Sequence, residues 1–217
     1  MRFSICLFSA LALSSAAPAQ DMQYRTLPAL QAAHELSKYA SCLASRRGPQ
    51  ARAAALATYL SEEQNKAANE LMRRVDDPCI AGGFDDHIRM RVRSDLLAVA
   101  VAEALLERDY PDFLSVVDPS TINVEAERAA AAKLSVAERF GRCMVWSNPA
   151  GIQSLLKSDP ETRGELDAIK TLDHAMGMCV EEGSTLRLSR TFVRGIAAQS
   201  AYVLAQQLRP RPNGRRG

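Results

Sequence analysis

The sequence predicts an all-α fold: two tandem modules of about four helices each, every module closed by its own disulfide. Three observations carry that prediction. Apolar residues recur at helical spacing along most of the chain, Ala is frequent, and β-branched runs are scarce. The four cysteines beyond residue 19 form two pairs of nearly equal span, Cys42 to Cys79 (37 residues) and Cys143 to Cys179 (36 residues). The surroundings of those pairs also recur. Pro49 and Pro149 follow the first cysteines, Gly83 and Gly183 follow the second, and Val92-Arg93-Ser94 and Val193-Arg194-Gly195 enter the next apolar run.

Residues 1–19 read as an export signal rather than as part of the fold. Arg2 precedes an apolar run from Phe3 to Leu13, and Ala17-Pro18-Ala19 has the small-x-small pattern of a cleavage site, with cleavage expected after Ala19. The run is too short for a membrane span, which needs roughly 20 apolar residues. Charges interrupt every later apolar run, so no transmembrane segment is expected.

The first module covers residues 20–108. Its first helix is expected from about Thr26, with Pro28 in the first turn, where a missing N–H costs nothing, and with Leu30, Ala33, Leu36, Ala40 and Leu43 as the buried stripe. Arg47-Gly48-Pro49 ends it, and a short helix follows with Ala53, Leu56 and Leu60. Ser61-Glu62-Glu63-Gln64 has the form of a capping box, opening a third helix with Ala67, Ala68, Leu71, Met72 and Val75 on its apolar face. Asp76-Asp77-Pro78 stops it. A fourth helix is expected from about Asp86 to Glu107, with Ile88, Val92, Leu96, Val99 and Leu106 along it.

Turn signals at Tyr110-Pro111-Asp112 and Asp118-Pro119-Ser120 mark residues 109–123 as the connection. Phe113, Leu114, Val116 and Val117 make it too apolar for a free linker. The second module, residues 124–208, repeats the plan. A helix runs from the cap Asn123 through Trp146 with Leu134, Ala137, Phe140 and Met144 inward, and a short one carries Ile152, Leu155 and Leu156. A second capping box, Ser158-Asp159-Pro160-Glu161, opens a helix with Leu166, Ile169, Leu172 and Met176. A last helix, Leu188 to Leu208, carries Phe192, Ile196, Val203 and Leu204. Counted from Pro49 and Pro149, the cap Ser158 arrives three residues earlier than Ser61, and Cys179 recovers the difference. The basic tail, residues 209–217, has nothing to bury and is expected to be disordered.

Composition bounds the class. Hydrophobic residues make up 47% and charged residues 24%, which is ordinary globular chemistry. Arg209, Arg211, Arg215 and Arg216 sit in the last nine positions, so the body is mildly acidic, which argues against nucleic acid as a partner. In an oxidising compartment four cysteines imply two disulfides with three possible connectivities; the repeat selects Cys42–Cys79 and Cys143–Cys179. A zinc site made of the four thiolates would ordinarily show close Cys-x-x-Cys pairs, and the chain has none.

Candidate chemistry is thin. Arg89 and Arg93 recur as Arg190 and Arg194, spaced i, i+4, and two guanidinia on one helical face can bind a carboxylate or phosphate. Equally, each can pair with acidic side chains of a neighbouring helix, such as Glu62, Glu63 or Glu165. His174-Ala175-Met176-Gly177-Met178-Cys179 offers soft ligands suited to copper, with His174 and Met178 one turn apart. Against it, Cys179 is expected in a disulfide and Met176 in the core. Asp85-Asp86-His87 sits where acidic residues cap a helix, and His34 beside Glu35 has no specificity.

No Gly-x-Ser-x-Gly, Gly-rich phosphate loop or His-Glu-x-x-His occurs. The tail can touch an anionic membrane surface weakly or simply be solvated. The Arg-rich, Lys-poor composition with an Ala-x-Ala signal suggests a bacterial periplasmic or secreted protein. The leading expectation is a non-catalytic helical interaction or binding module of the cell envelope, without a cofactor, whose partner is an envelope protein or small ligand. The alternatives are a periplasmic hydrolase using carboxylates with His174 or His87, and a copper- or redox-responsive protein.

Overall fold

A computed structural model describes residues 27–73, 79 and 92–208. The expected signal segment, Arg89, the Asp85-Asp86-His87 group, Gly83 and the basic tail lie outside the described residues. Those residues form eleven α-helices and one 3₁₀ turn, with no strand among them. The helices are α1 (Ala29–Arg46), α2 (Gly48–Leu56), α3 (Glu62–Met72), α4 (Ser94–Asp109), α5 (Phe113–Val116), α6 (Val124–Ala131), α7 (Val136–Ser147), α8 (Pro149–Lys157), α9 (Arg163–Thr171), α10 (Asp173–Cys179) and α11 (Arg190–Leu208). The 3₁₀ turn, Pro119–Thr121, lies between α5 and α6. Cys42 is joined to Cys79 and Cys143 to Cys179, each pair with Cα atoms 5.6 Å apart.

The two halves do not have separate cores. Buried side chains from α1 to α11 form one continuous apolar cluster that includes Leu43, Leu71, Leu97, Leu105, Phe140, Met144, Ile152, Leu172, Ile196 and Tyr202. Helices α4 and α11 are its spine and pack on each other extensively. They run in the same direction, because Val99 lies against Gly195 while, further along both helices, Tyr110 meets Tyr202 and Gln206. At Gly195 an added Cβ would come within 2.9 Å of Val99, so only glycine permits this approach. The connecting segment packs into the same core through Phe113 and Leu114, as its apolar composition predicts, although Val116 is exposed.

Several expectations about faces and boundaries require correction. Of the expected α1 stripe, Ala40 and Leu43 are buried, Ala33 and Leu36 are half-buried and Leu30 is exposed; Tyr39 and Ala44 join the buried face. Helix α2 carries Ala53 and Leu56, both exposed, and ends at Leu56, so Leu60 lies beyond it; its buried residues are Ala51, Ala54 and Ala55. The physical reason is distance: small side chains let α2 lie close to α3 and α4, whereas leucines on that face would hold the helices apart.

The helix expected from Asn123 through Trp146 is two helices. Asn123 does cap α6, accepting from the Ala126 N–H at 3.0 Å. The chain then stops after Ala131 and restarts at Ser135, where a full capping box forms with Glu138. Ser158 does not open α9. It closes α8, donating its hydroxyl to the Leu155 carbonyl at 2.6 Å, and α9 is capped by Thr162, which accepts from the Glu165 N–H at 3.3 Å. Leu166 lies on α9 as expected and is exposed. The last helix begins at Arg190 rather than Leu188.

Candidate functional site

Each half contains a turn of the same form, built from a short helix, a left-handed residue and a capped helix. After α2, Leu60 takes φ 61°; after α8, Glu161 does the same. The next residue, Ser61 or Thr162, caps the following helix through its hydroxyl. The side chain three residues on, Gln64 or Glu165, folds back to accept the N–H of the left-handed residue at 2.9 Å in both places. Both Gln64 and Glu165 are buried. Leu60 and Glu161, Ser61 and Thr162, and Gln64 and Glu165 are each 101 positions apart, as are Cys42 and Cys143.

Each buried cap then meets a long polar side chain from α11. In the first half, Gln64 Nε2 donates to Gln199 Oε1 at 3.3 Å, and Gln199 Nε2 donates to the Ala57 carbonyl at 2.7 Å. In the second half the partner is Arg194. Its Nε and Nη2 donate to the two oxygens of Glu103 on α4, at 3.0 and 2.5 Å. Its Nη1 donates to the Leu155 and Ser158 carbonyls and to Glu165, and Nη2 also reaches the Leu156 carbonyl. One guanidinium thus serves three carbonyls at the end of α8 and two carboxylates at once. Burial raises the Glu103 carboxyl above the ordinary carboxylate range; the hydrogen bonds and charge of Arg194 oppose that rise, and Glu107 and Glu165 add to it.

The arginines singled out from sequence that the structure describes stand in different places. Arg194 is buried, and Arg190 on the preceding turn is exposed, so the two guanidinia do not present one face. Arg93, at the position matching Arg194, is exposed and forks onto Asp95 at the start of α4, at 3.0 and 2.6 Å. Arg89 lies outside the described residues. His34 and His174 are both exposed, as is Met178, while Met176 is buried and Cys179 is in its disulfide. Among the described residues no group of three or more His, Cys, Asp or Glu side chains is placed to hold a metal ion. None of the described helices is long and apolar enough to cross a membrane.

One polar cluster was missed from sequence. Arg142 on α7 is buried; its Nη1 donates to Gln207 Oε1 at 2.9 Å and its Nη2 to Glu127 Oε2 at 2.8 Å. Trp146, one turn further on, donates its indole N–H to that same Glu127 oxygen at 2.8 Å. Arg142 Nε is buried without an acceptor. An arginine and a tryptophan at i, i+4 is a visible spacing, and it was overlooked because Arg142 lies between two core residues, Phe140 and Met144. Compared with protein-family models, curated proteins and solved structures, the chain matches none.

Proposed function

We propose that this chain is an exported, non-catalytic binding or interaction module of the cell envelope, built by duplication of one disulfide-closed helical unit. The observation that carries the reading is the recurrence, 101 positions apart, of the left-handed residue, hydroxyl cap and buried acid or amide. A positive φ outside glycine is uncommon, so its appearance with the same back-bond at both sites supports common descent of the halves. The mismatch between Ser61 and Ser158 disappears once Thr162 is taken as the matching cap: Cys42/Cys143, Ser61/Thr162 and Arg93/Arg194 then share one offset, with Pro49/Pro149 and Cys79/Cys179 one residue short of it.

The buried polar groups support a scaffold over a catalyst. Gln64 and Gln199 are hydrogen-bonded to each other and to backbone beside α2 and α3, Glu165 to the Glu161 N–H and to Arg194, and Arg194 to the end of α8 and to Glu103. Two disulfides fit export to an oxidising compartment, with the signal read at residues 1–19. The test is affinity capture from cell-envelope extract by the oxidised protein, with the reduced and alkylated protein as control, together with melting curves in the presence of candidate envelope ligands. A partner retained only by the oxidised form is expected. No retained partner and no ligand-induced melting shift would remove the reading.

A further inference from the structure

Two arginines are buried among the described residues, Arg142 and Arg194, and only one of them is fully served. Arg194 places Nε and Nη2 side by side on both oxygens of Glu103. Arg93, Arg108 and Arg139 use the same fork on Asp95, Asp109 and Glu181. Arg142 does not. Its carboxylate partner, Glu127, offers a single oxygen, Oε2, which Arg142 Nη2 shares with the indole N–H of Trp146. Nε, the other tooth of the fork, is left buried and unpartnered, although the Arg142 side chain is only 9% exposed. Leaving a charged donor unserved in the interior is costly, and the cause lies in how Glu127 arrives.

Glu127 belongs to α6, a helix of eight residues. Of the α6 side chains described, Ala131 alone is buried, and the helix packs chiefly on α7. Among its described side chains, the polar tie to the rest of the molecule is the Glu127 carboxylate. A weakly seated element therefore covers a strong, under-used cation flanked by an indole and by the amide of Gln207.

We propose that Arg142, Trp146 and Gln207 form a carboxylate-binding site, that Glu127 is its resident stand-in, and that the ligand is a Glu side chain of an acidic peptide segment that displaces α6. A carboxylate free to approach side-on satisfies Nε and Nη2 together, as Glu103 does for Arg194, and keeps the indole donor as a third contact. The peptide source is favoured because the resident is itself a glutamate on a short helix. The inference rests on the reading of the chain as a binding module and names a ligand class for it.

Trp146 is the single tryptophan of the chain, so its emission reports this site directly. The experiment titrates the full-length Glu127→Ala protein with a synthetic, end-blocked peptide of residues 124–131, with the same peptide carrying Glu127→Gln, and with glutarate. The expected result is a saturable emission change with the Glu peptide, at least tenfold weaker with the Gln peptide, and at least tenfold weaker in the wild-type protein, where α6 competes in place. Adding Arg142→Lys to Glu127→Ala is expected to abolish the response; where that double variant fails to fold, the two peptides still decide the matter.

Equal responses to the Glu and Gln peptides, or no saturable change in a Glu127→Ala protein with an unaltered helical circular dichroism spectrum, overturn the site. Glutarate binding as tightly as the Glu peptide overturns the peptide assignment. A protein that still captures an envelope partner after either negative result loses this site and not its reading as a binding module.

Discussion

The two polar junctions solve one problem with different chemistry. Behind Leu60 the buried cap is an amide, Gln64, and its partner from α11 is another amide, Gln199, which serves the Ala57 carbonyl. Behind Glu161 the cap is a carboxylate, Glu165, and its partner is Arg194, which also draws in Glu103 from the other half. The backbone geometry is the same in both, down to the φ of the left-handed residue. What changes is charge, and with it the cost of failure. A neutral junction that loses a partner leaves one or two unmatched hydrogen-bonding groups. An ionic junction that loses its cation leaves the buried Glu165 and the part-buried Glu103 without a counter-charge, a larger penalty than an unmatched amide.

The largest expected effect follows from that contrast. Arg194→Met removes the cation that serves Glu103 and Glu165 among the described residues and uncovers carbonyls at the end of α8. It is expected to cost about 5 kcal/mol, the upper end for breaking a buried pair, read as the urea unfolding midpoint by circular dichroism. The disulfides are where the halves should not differ. Loops of 37 and 36 residues give almost the same chain-entropy term, about 4 kcal/mol each. Cys42→Ser/Cys79→Ser and Cys143→Ser/Cys179→Ser should therefore be destabilised alike; a twofold disparity would show that one half contributes far more than its share to the folding unit. Gln199→Met, the neutral match of the arginine change, is expected to cost about 2 kcal/mol. Equal losses for Arg194→Met and Gln199→Met would erase the distinction between the junctions.

Titration sharpens the comparison further, since only the ionic junction carries groups that change charge. Burial raises Glu103 above its ordinary value of 4.5, against the pull of Arg194. The folded chain therefore keeps a proton that the unfolded chain has already released. The linked stability is fully present below the ordinary carboxylate value and is lost as pH rises through the folded value. Unfolding midpoints measured between about pH 4 and 8 should show this decline in the wild type. In Glu103→Gln it should disappear, with Arg194 still held by Glu165. A Gln64→Leu chain, altered at the neutral junction, should keep the decline. A wild type whose stability rises across the same interval would show that Arg194 outweighs burial at Glu103.

Much of the architecture was legible in the sequence, and the failures share a cause. Cysteine spacing carries the disulfide pairing, and apolar spacing at helical period carries the helical class. Side-chain size is the missing signal at α2, where Ala51, Ala54 and Ala55 face inward while Leu56 does not. Close helix packing rewards small residues, and hydrophobicity alone does not signal it. The restart at Ser135 was legible as Ser-x-x-Glu and was overridden by an apolar pattern that ran past it. The candidate sites fared worst. Arg194 was visible, but its partners lie in α4, α8 and α9, and no local spacing brings Glu103 and Arg194 together. The Glu127–Arg142–Trp146 cluster needed the turn between α6 and α7 before its members could meet.

The smallest expected effect tests whether the left-handed residues are set by the backbone or by their side chains. Leu60 and Glu161 share φ 61° although one is an exposed leucine and the other a half-buried glutamate. Nothing about leucine favours that conformation, which costs a residue with a Cβ about 1–2 kcal/mol. The back-bonds from Gln64 and Glu165 to the two N–H groups offset the strain. Leu60→Gly and Glu161→Gly each remove the Cβ penalty but loosen the unfolded chain, so each should stabilise by less than about 1 kcal/mol, and by equal amounts. Calorimetric melting of the two single variants and their double checks this, and additivity is expected because the sites share no partner. Opposite signs in the two halves would mean that one of the turns is held by its side chain, and the correspondence between the junctions would then stop at the cap.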